Sequence, residues 1–173
     1  MKGREVAFAG LFAALTAVGA QVSIPIGPVP ITLQVLFVLL SGLILGPRLG
    51  FLSQAVYLVA GAIGLPVFAG FSGGFAYLYG PTGGYLLAFP LAAFVVGWIA
   101  PENEEKAGRM LAASLLGVLV IYLLGWLRLG LFLGGDFGKA LALGVLPFVP
   151  VDVVKAVVSV AVAKSVKKVI DVG

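Results

Sequence analysis

Six apolar segments follow one another along this chain and leave little polar sequence between them. They are separated by breaks that contain proline and glycine, the residues that most often interrupt helices. A helix needs about 20 mostly apolar residues to cross a bilayer. The segments lie at about 6–23, 31–45, 49–64, 83–100, 110–127 and 147–166. The pattern predicts an all-α membrane protein with six transmembrane helices, which form a single integral membrane domain over residues 1–173.

The composition excludes a soluble domain and restricts the kinds of catalytic, metal and nucleotide site that the chain can form. The chain is 61% hydrophobic and 10% charged, whereas soluble domains carry about 25% charged residues. It contains no cysteine and no histidine, which excludes disulfides, Cys or His metal sites and imidazole-based catalysis. It also lacks the Gly-Lys-Ser/Thr ending of a phosphate-binding loop. We therefore expect no metal and no cofactor, and any ATP that powers the protein must bind to another subunit.

The basic residues are concentrated on one side of the predicted bundle. Six passes place both termini on the same side, and eight of the eleven Lys and Arg residues fall there. These eight are Lys2, Arg4, Arg48, Lys106, Arg109, Lys164, Lys167 and Lys168. Because basic loops stay in the cytoplasm, both termini are predicted to be cytoplasmic. Topology thus explains the net charge of +4, and nucleic acid is not an expected partner.

The connections between the segments differ in length and character. The second and third segments are short and meet at Gly46-Pro47, which indicates a compact helical hairpin. Three longer loops face outward in this orientation, at 24–30, 66–82 and 128–145. Long outer loops with short inner ones favour a site that opens outward.

Asp152 and Lys155 lie inside the last apolar segment, where charges are costly. Three residues apart, they share one face of a helix. Either charge alone costs about 2.5–3.5 kcal/mol at the centre of a membrane helix, so such residues face the bundle interior or a wet cavity. One interpretation is an ion pair that only neutralises itself, and the other is the polar floor of a ligand site. Pro147 and Pro150, which are expected to interrupt the helix beside Asp152, favour the ligand site.

The segment 64–85 reads GLPVFAGFSGGFAYLYGPTGGY and combines seven glycines with six aromatic residues and no charge. Glycine lets a backbone approach a ligand closely. Aromatic rings supply flat apolar walls, and a tyrosine hydroxyl adds a hydrogen-bonding tip. The segment is therefore predicted to cap a small, flat, mostly apolar molecule. An interfacial aromatic belt would explain some of the tyrosines but not the density of glycine.

A stripe of small residues runs along the first helix. Ala9, Ala13 and Ala17 recur every four residues, a spacing that lets helices approach closely in lipid. The spacing fits packing within the bundle and docking onto another membrane protein equally well.

Several of these stretches together resemble the BioY family, the biotin-binding S components of energy-coupling factor (ECF) transporters. They are GPVPITLQ at 27–34, AGAIGLPVFAGFSGG at 60–74, GPTGGYL at 80–86 and the proline-flanked Asp152/Lys155 pair. The resemblance covers nearly the whole chain in order. It implies an S-component-type bundle in the cell membrane of a prokaryote. Biotin would bind from outside, beneath the loops that join spans one to two, three to four and five to six.

The resemblance also implies which residues bind biotin, whose ureido ring carries two N–H donors and one C=O acceptor. Asp152 would accept from the ureido N–H groups, and Lys155 would donate to the ureido oxygen or to the tail carboxylate. The walls around the bicycle would be Phe68, Phe71, Tyr77 and Tyr79. Further polar candidates are Gln34, Ser72, Thr82 and Tyr85, although Gln34 could instead brace the Pro-rich loop.

In the same way, Ala9, Ala13 and Ala17 match the small-residue motif with which the family docks onto a transmembrane T component. That component couples to two ATPase subunits. The implied partners are biotin, membrane lipid, the T component and the ATPases, and a homo-oligomer is also compatible. The implied function is high-affinity biotin uptake without enzymatic activity. The alternatives are an S component for another vitamin, a membrane enzyme with Asp152 and Lys155 as its acid/base pair, and a structural bundle.

Overall fold

Six α-helices make up most of the computed structural model, which describes residues 1–103 and 105–170. They are α1 (Gly3–Gln21), α2 (Gln34–Ala62), α3 (Gly83–Ile99), α4 (Ala107–Phe132), α5 (Phe137–Gly144) and α6 (Val149–Lys167). Two short strands, β1 (Ser23–Ile24) and β2 (Ile31–Thr32), pair antiparallel and frame the Pro-rich segment. A 3₁₀ helix covers Phe75–Tyr79. The predicted single domain includes residues 171–173, which lie outside the described residues.

Helix α2 reverses direction at Gly46 and therefore makes two passes. Gly46 has a φ of 79°, a conformation that favours glycine. Gln34 donates from Nε2 to the hydroxyl of Tyr57 across 2.6 Å, and Gln54 donates to Ser41 Oγ across 3.3 Å. In a straight helix Gln34 and Tyr57 would be roughly 35 Å apart. The hairpin predicted at Gly46-Pro47 is confirmed.

The helices are suited to a membrane in number and composition. Among the described residues, α1, α2 and α4 are long and apolar enough to cross a membrane, and α3 is a shorter apolar helix. Helices α5 and α6 pass the same test together, with a 50° bend between them. Since α2 consists of two segments that meet at Gly46, the described residues form the predicted bundle of six apolar helical segments, and α5 is a short helix that leads into the last one.

Met1 and residues 167–170, the last that the structure describes, lie at one end of the bundle. A groove there is lined by Met1, by the hairpin turn at 46–48, by residues 100–102 and by residues 167–170. Helix α1 leads from this end to the Pro-rich segment, so that segment lies at the opposite end. That both termini share one side agrees with an even number of passes, while the side of the membrane that they face stays a prediction.

The first half of α2 forms the centre of the bundle. Residues 38–45 are all buried, and α2 packs against α1, α3 and α6. A Cβ at Gly42 would lie 2.6 Å from the carbonyl oxygen of Ala93, so α3 approaches closely because position 42 is glycine. On the other side, Gln54 donates to the buried hydroxyl of Thr16 across 3.1 Å and joins the hairpin to α1.

The predicted outer loop at 128–145 is wrong, because most of it is helical. Helix α4 continues through Arg128 to Phe132, and α5 occupies much of the remainder. A single arginine at a helix end can extend its side chain toward polar surroundings while its backbone stays helical. Asp136 then begins α5 as its N-cap, because its carboxylate accepts from the Lys139 N–H across 2.9 Å.

The predicted interruption at Pro150 is also wrong. Helix α6 begins at Val149, and Pro150 lies in its first turn, where a missing N–H costs nothing. The backbone N–H of Asp152 already donates to the Phe148 carbonyl across 2.8 Å. Pro150 therefore starts the helix that carries Asp152 and Lys155.

Candidate functional site

A cavity lies at the end of the bundle opposite the termini. It is bounded by the Pro-rich segment (residues 24–30) with β2, by residues 66–82, which we term the cap, and by α2, α3, α4 and α6. Its walls are mostly apolar and include Phe68, Phe89, Ile121 and Phe148. Polar groups converge on one part of the lining, a combination that is typical of small-molecule sites.

The polar part of the cavity is centred on an ion pair within α6. Lys155 Nζ lies 3.0 Å from Asp152 Oδ1, and the two residues are 7% and 2% exposed. Lys155 also donates to the backbone carbonyl oxygen of Thr32 across 2.6 Å. The hydroxyl of Tyr122, on α4, donates to Asp152 Oδ2 across 2.6 Å. Each buried charge thus has two partners, which offsets part of the cost of removing it from water.

The cap is fixed to the bundle through Phe68. Its ring is fully buried, and a Cβ at Gly61 would lie 2.2 Å from it. Gln21, at the end of α1, donates to the Phe68 carbonyl oxygen across 3.0 Å and accepts from the Phe71 N–H across 2.8 Å. Tyr57 donates its hydroxyl hydrogen to the Val67 carbonyl oxygen across 2.9 Å. Both α1 and α2 therefore hold the cap over the cavity.

Seven of the ten predicted substrate-binding residues line this cavity. They are Gln34, Phe68, Tyr77, Thr82, Tyr85, Asp152 and Lys155. The structure brings them together from α2, α3, α6 and the cap, although nothing in the geometry alone identifies their ligand.

The other three predicted residues lie outside the cavity lining. Phe71 and Tyr79 are 73% and 63% exposed, and Ser72 pairs through its backbone with Phe68 in a tight turn. Gly70 and Phe71 have φ angles of 69° and 55° in that turn. The turn places Phe68 in the interior and leaves Phe71 on the surface, a distinction that composition does not reveal.

Gln34 and Tyr85 contribute structural hydrogen bonds as well as cavity lining. Gln34 accepts from the Thr32 hydroxyl across 2.9 Å and donates to Tyr57. It therefore braces the Pro-rich segment against the hairpin, the alternative that the sequence left open. Tyr85 donates to the Gly144 carbonyl oxygen across 2.7 Å, which ties α3 to the end of α5.

Sequence reasoning missed three participants in the site. Tyr122 binds the carboxylate, Tyr57 joins Gln34 to the cap, and Thr32 supplies a backbone acceptor to Lys155. Tyr122 had a weak signal, since it is a lone tyrosine in the apolar segment 110–127. A backbone carbonyl has no signal in sequence, because every residue carries one.

The small-residue stripe of α1 mostly faces inward. Ala9 and Ala13 are 3% and 8% exposed, and Ala17 is half-buried. The exposed face of α1 carries Gly10 and Ala14 instead. Both stripes repeat every four residues, so spacing alone does not determine which one faces the bundle. In this conformation a partner on α1 would contact the Gly10 face.

Comparisons with known proteins match nearly the whole chain to a single family. A sequence model described as the BioY family matches residues 1–172. A protein of Pyrococcus horikoshii described as a probable biotin transporter BioY is 56% identical over 164 residues, covering 95% of this chain and 96% of that protein. The biotin transporter BioY of Thermotoga maritima is 48% identical over 165 residues, with the same coverage.

One solved structure has nearly the same fold as this chain. It is the crystal structure at 2.1 Å of the S-component for biotin from an ECF-type ABC transporter, with a TM-score of 0.88 and 28% identity. The match covers 97% of this chain and 95% of that chain. The expected S-component-type bundle is confirmed, and the chain belongs to the BioY family.

Proposed function

We propose that this protein is a biotin-uptake subunit that captures biotin from outside the cell. The observation that carries the proposal is the buried group formed by Asp152, Lys155 and Tyr122 at one part of an otherwise apolar, aromatic cavity. Two BioY relatives, 56% and 48% identical over nearly the whole chain, bear names that describe biotin transport, which supports the same ligand.

The chemistry of biotin matches this cavity. Its ureido ring needs acceptors for two N–H groups and a donor for its carbonyl oxygen, and Asp152 and Lys155 offer both. Phe68, Tyr77 and Phe89 line the same cavity and offer apolar surface to the fused rings. Thr82, at the end of the cap, and Tyr85, in the first turn of α3, line the same cavity and are candidates for polar contacts with the rest of the molecule.

The protein is further proposed to act as the S component of an ECF-type transporter in the cell membrane of a prokaryote. A T component and two ATPase subunits would be its partners, and ATP would bind only to the ATPases. The protein itself would hold no cofactor and catalyse no reaction. The eight basic residues at the end that carries the termini support a cytoplasmic location for both.

Biotin binding to the detergent-purified protein tests the proposal. Desthiobiotin and two unrelated vitamins serve as comparators, and Asp152→Asn and Lys155→Ala are measured alongside. Tight, selective binding that both substitutions weaken is the expected result. A well-folded protein that ignores biotin but binds another vitamin would replace biotin with that vitamin. Binding that survives both substitutions would make the ion pair structural.

A further inference from the structure

A groove separate from the cavity lies at the end of the bundle that carries Met1. Within the described residues, the groove and the cavity share no lining residue. The groove has a volume of 1710 Å³, whereas most small-molecule pockets measure about 300–1,000 Å³. It is therefore suited to a larger occupant than the ligand of the cavity.

The groove follows one face of α3 away from the end of that helix. Leu91, Phe94 and Trp98 line it, and their spacing places them on the same helical face. They are 48%, 41% and 71% exposed. The rise from Leu91 to Trp98 is about 10 Å. An apolar surface thus extends from the end of α3 toward the middle of this span.

The hairpin turn closes one side of the groove beside Trp98. A Cβ at Gly97 would lie 2.4 Å from the backbone carbonyl carbon of Gly46, so the turn contacts α3 near its end at Ile99. Helix α3 has 17 residues and rises about 25 Å, less than the roughly 30 Å of a hydrocarbon core. Lipids adapt to a span that is shorter than the core, so their head groups can approach the hairpin turn.

The lining of the groove carries an excess of positive charge. Its cations are Arg48, Lys167 and Lys168, and its carboxylates are Glu5 and Glu102. Arg48 and Lys168 are exposed, and within residues 1–103 and 105–170 neither side chain has a hydrogen bond or an ion pair. Basic groups between transmembrane helices near a membrane surface bind the head groups of anionic lipids.

We infer that this groove binds an anionic phospholipid. Its phosphate lies at Arg48 and Lys168, and one acyl chain follows α3 from Trp98 to Leu91. A lipid matches the groove because both place charge at the membrane surface and apolar surface below it. A second copy of the chain would bring the same cations to the groove, which disfavours it as the occupant. The inference goes beyond the proposed function, since it involves neither biotin nor the cavity.

The fluorescence of Trp98 tests the inference, because Trp98 lines the groove and is largely exposed. The chain has two tryptophans, and Trp126→Phe leaves Trp98 as the only one. The full-length variant is reconstituted into phosphatidylcholine bilayers. Phosphatidylglycerol with brominated acyl chains, or phosphatidylcholine with the same chains, then replaces increasing fractions of the lipid. Bromine quenches tryptophan on contact, so the ratio of the two half-quenching fractions gives the preference for the anionic lipid.

Arg48→Gln and Lys168→Gln are measured in the same background, with Lys106→Gln as the control. Lys106 is an exposed cation that lies outside the groove lining. Arg48 and Lys168 are each expected to supply about a fivefold preference for phosphatidylglycerol, so each substitution should lower the preference by about that factor. Lys106→Gln should change it by less than about twofold.

Three results would overturn the inference. Equal quenching by the two brominated lipids would show that the groove does not select a negative head group. An equal loss of preference in Lys106→Gln would attribute the preference to the general surface charge. An absence of quenching by either lipid would mean that protein, from this chain or from a second copy, covers Trp98.

Two features keep the test decisive. If Trp126→Phe does not fold, the difference in quenching between the wild-type protein and Trp98→Phe isolates the same signal. The lipid preference is also measured without biotin, so a failure of the proposed function and a failure of this inference are observed separately.

Discussion

Lys155 and Thr32, 123 positions apart in the sequence, are joined by a hydrogen bond of 2.6 Å from the ammonium group to the backbone carbonyl oxygen. The Thr32 hydroxyl continues to Gln34, Gln34 to Tyr57, and Tyr57 to the Val67 carbonyl oxygen. Hydrogen bonds on either side of Thr32, one to its backbone carbonyl oxygen and one from its hydroxyl, thus connect the ion pair with the cap. The polar part of the cavity and its cover are held by the same network.

Asp152→Asn is expected to weaken biotin binding by about 10- to 100-fold. The substitution removes the charged acceptor proposed for the ureido N–H, and a hydrogen bond to a charged group contributes about 1.5–3 kcal/mol. Calorimetry on purified protein measures the affinity. Asp136→Asn, the same change at the N-cap of α5, should leave it unaltered, and equal losses for the two variants would contradict a specific role for Asp152.

Tyr57→Phe should release the cap without changing the lining of the cavity. Tyr57 is 1% exposed, and loss of its hydroxyl leaves Gln34 and the Val67 carbonyl short of a partner. The free energy of unfolding should fall by about 1–3 kcal/mol, and biotin should dissociate faster with little change in its association rate. Stopped-flow measurements separate the two rates.

Thr16→Val is the matched variant for Tyr57→Phe. It also removes a buried hydroxyl from a hydrogen-bond network, but that network joins α1 to the hairpin at Gln54 and Ser41. It should destabilise the protein and leave the dissociation rate unchanged. Faster dissociation in both variants would mean that general loss of stability, and not the cap, sets the rate.

Gly61→Ala should displace Phe68 and disrupt the cavity wall. The added methyl group would lie 2.2 Å from the Phe68 ring, so the ring or the helix has to move. Overpacking of this kind costs about 1–3 kcal/mol, and biotin affinity should fall with it. Gly108→Ala, where the added group meets nothing within 4 Å, is the control. Unchanged affinity in Gly61→Ala would show that Phe68 does not shape the site.

Ala13→Leu and Ala14→Leu should separate packing from docking on α1. Ala13 is buried, and the larger side chain should lower the free energy of unfolding by about 1–3 kcal/mol. Ala14 is exposed, so its replacement should change stability by less than about 0.5 kcal/mol but reduce co-purification with a T component. The reverse pattern would place the docking surface on the Ala9 and Ala13 stripe.

The orientation in the membrane can be measured because the chain contains no cysteine. A single cysteine in place of Phe71, in the cap, should react with a membrane-impermeant maleimide on intact cells. A cysteine in place of Arg48, at the hairpin turn, should react only after lysis. Labelling of position 48 on intact cells would contradict the cytoplasmic assignment of the termini.

Much of the fold was predictable because its signals are strong and local. The lengths of the apolar segments predicted the number of helical segments. Gly46-Pro47 predicted the hairpin, since a reversal of the chain needs a residue that tolerates positive φ. The end of α4 was misjudged because Arg128 is compatible with both a helix and its end. The start of the last helix was close to the prediction, but Pro150 was taken as an interruption although it lies in the first turn of α6.

The charged part of the candidate site was the most readily predicted. Asp152 and Lys155 stand out because isolated charges are expensive in a membrane segment. Tyr122 and Tyr57 do not, because a tyrosine in an apolar helix also fits simple packing. Phe68 and Phe71 are equivalent in composition, and only the turn between them determines which ring enters the cavity.

The central position of residues 34–45 has a consequence for biosynthesis. Twelve helical residues rise about 18 Å, well short of the roughly 30 Å of a hydrocarbon core, and residues 38–45 are shielded by their neighbours in the finished bundle. Such a segment is a poor candidate for release into lipid by itself during translation. We expect the insertion machinery to hold it until the second half of the hairpin has been synthesised, so that the two enter the bilayer together.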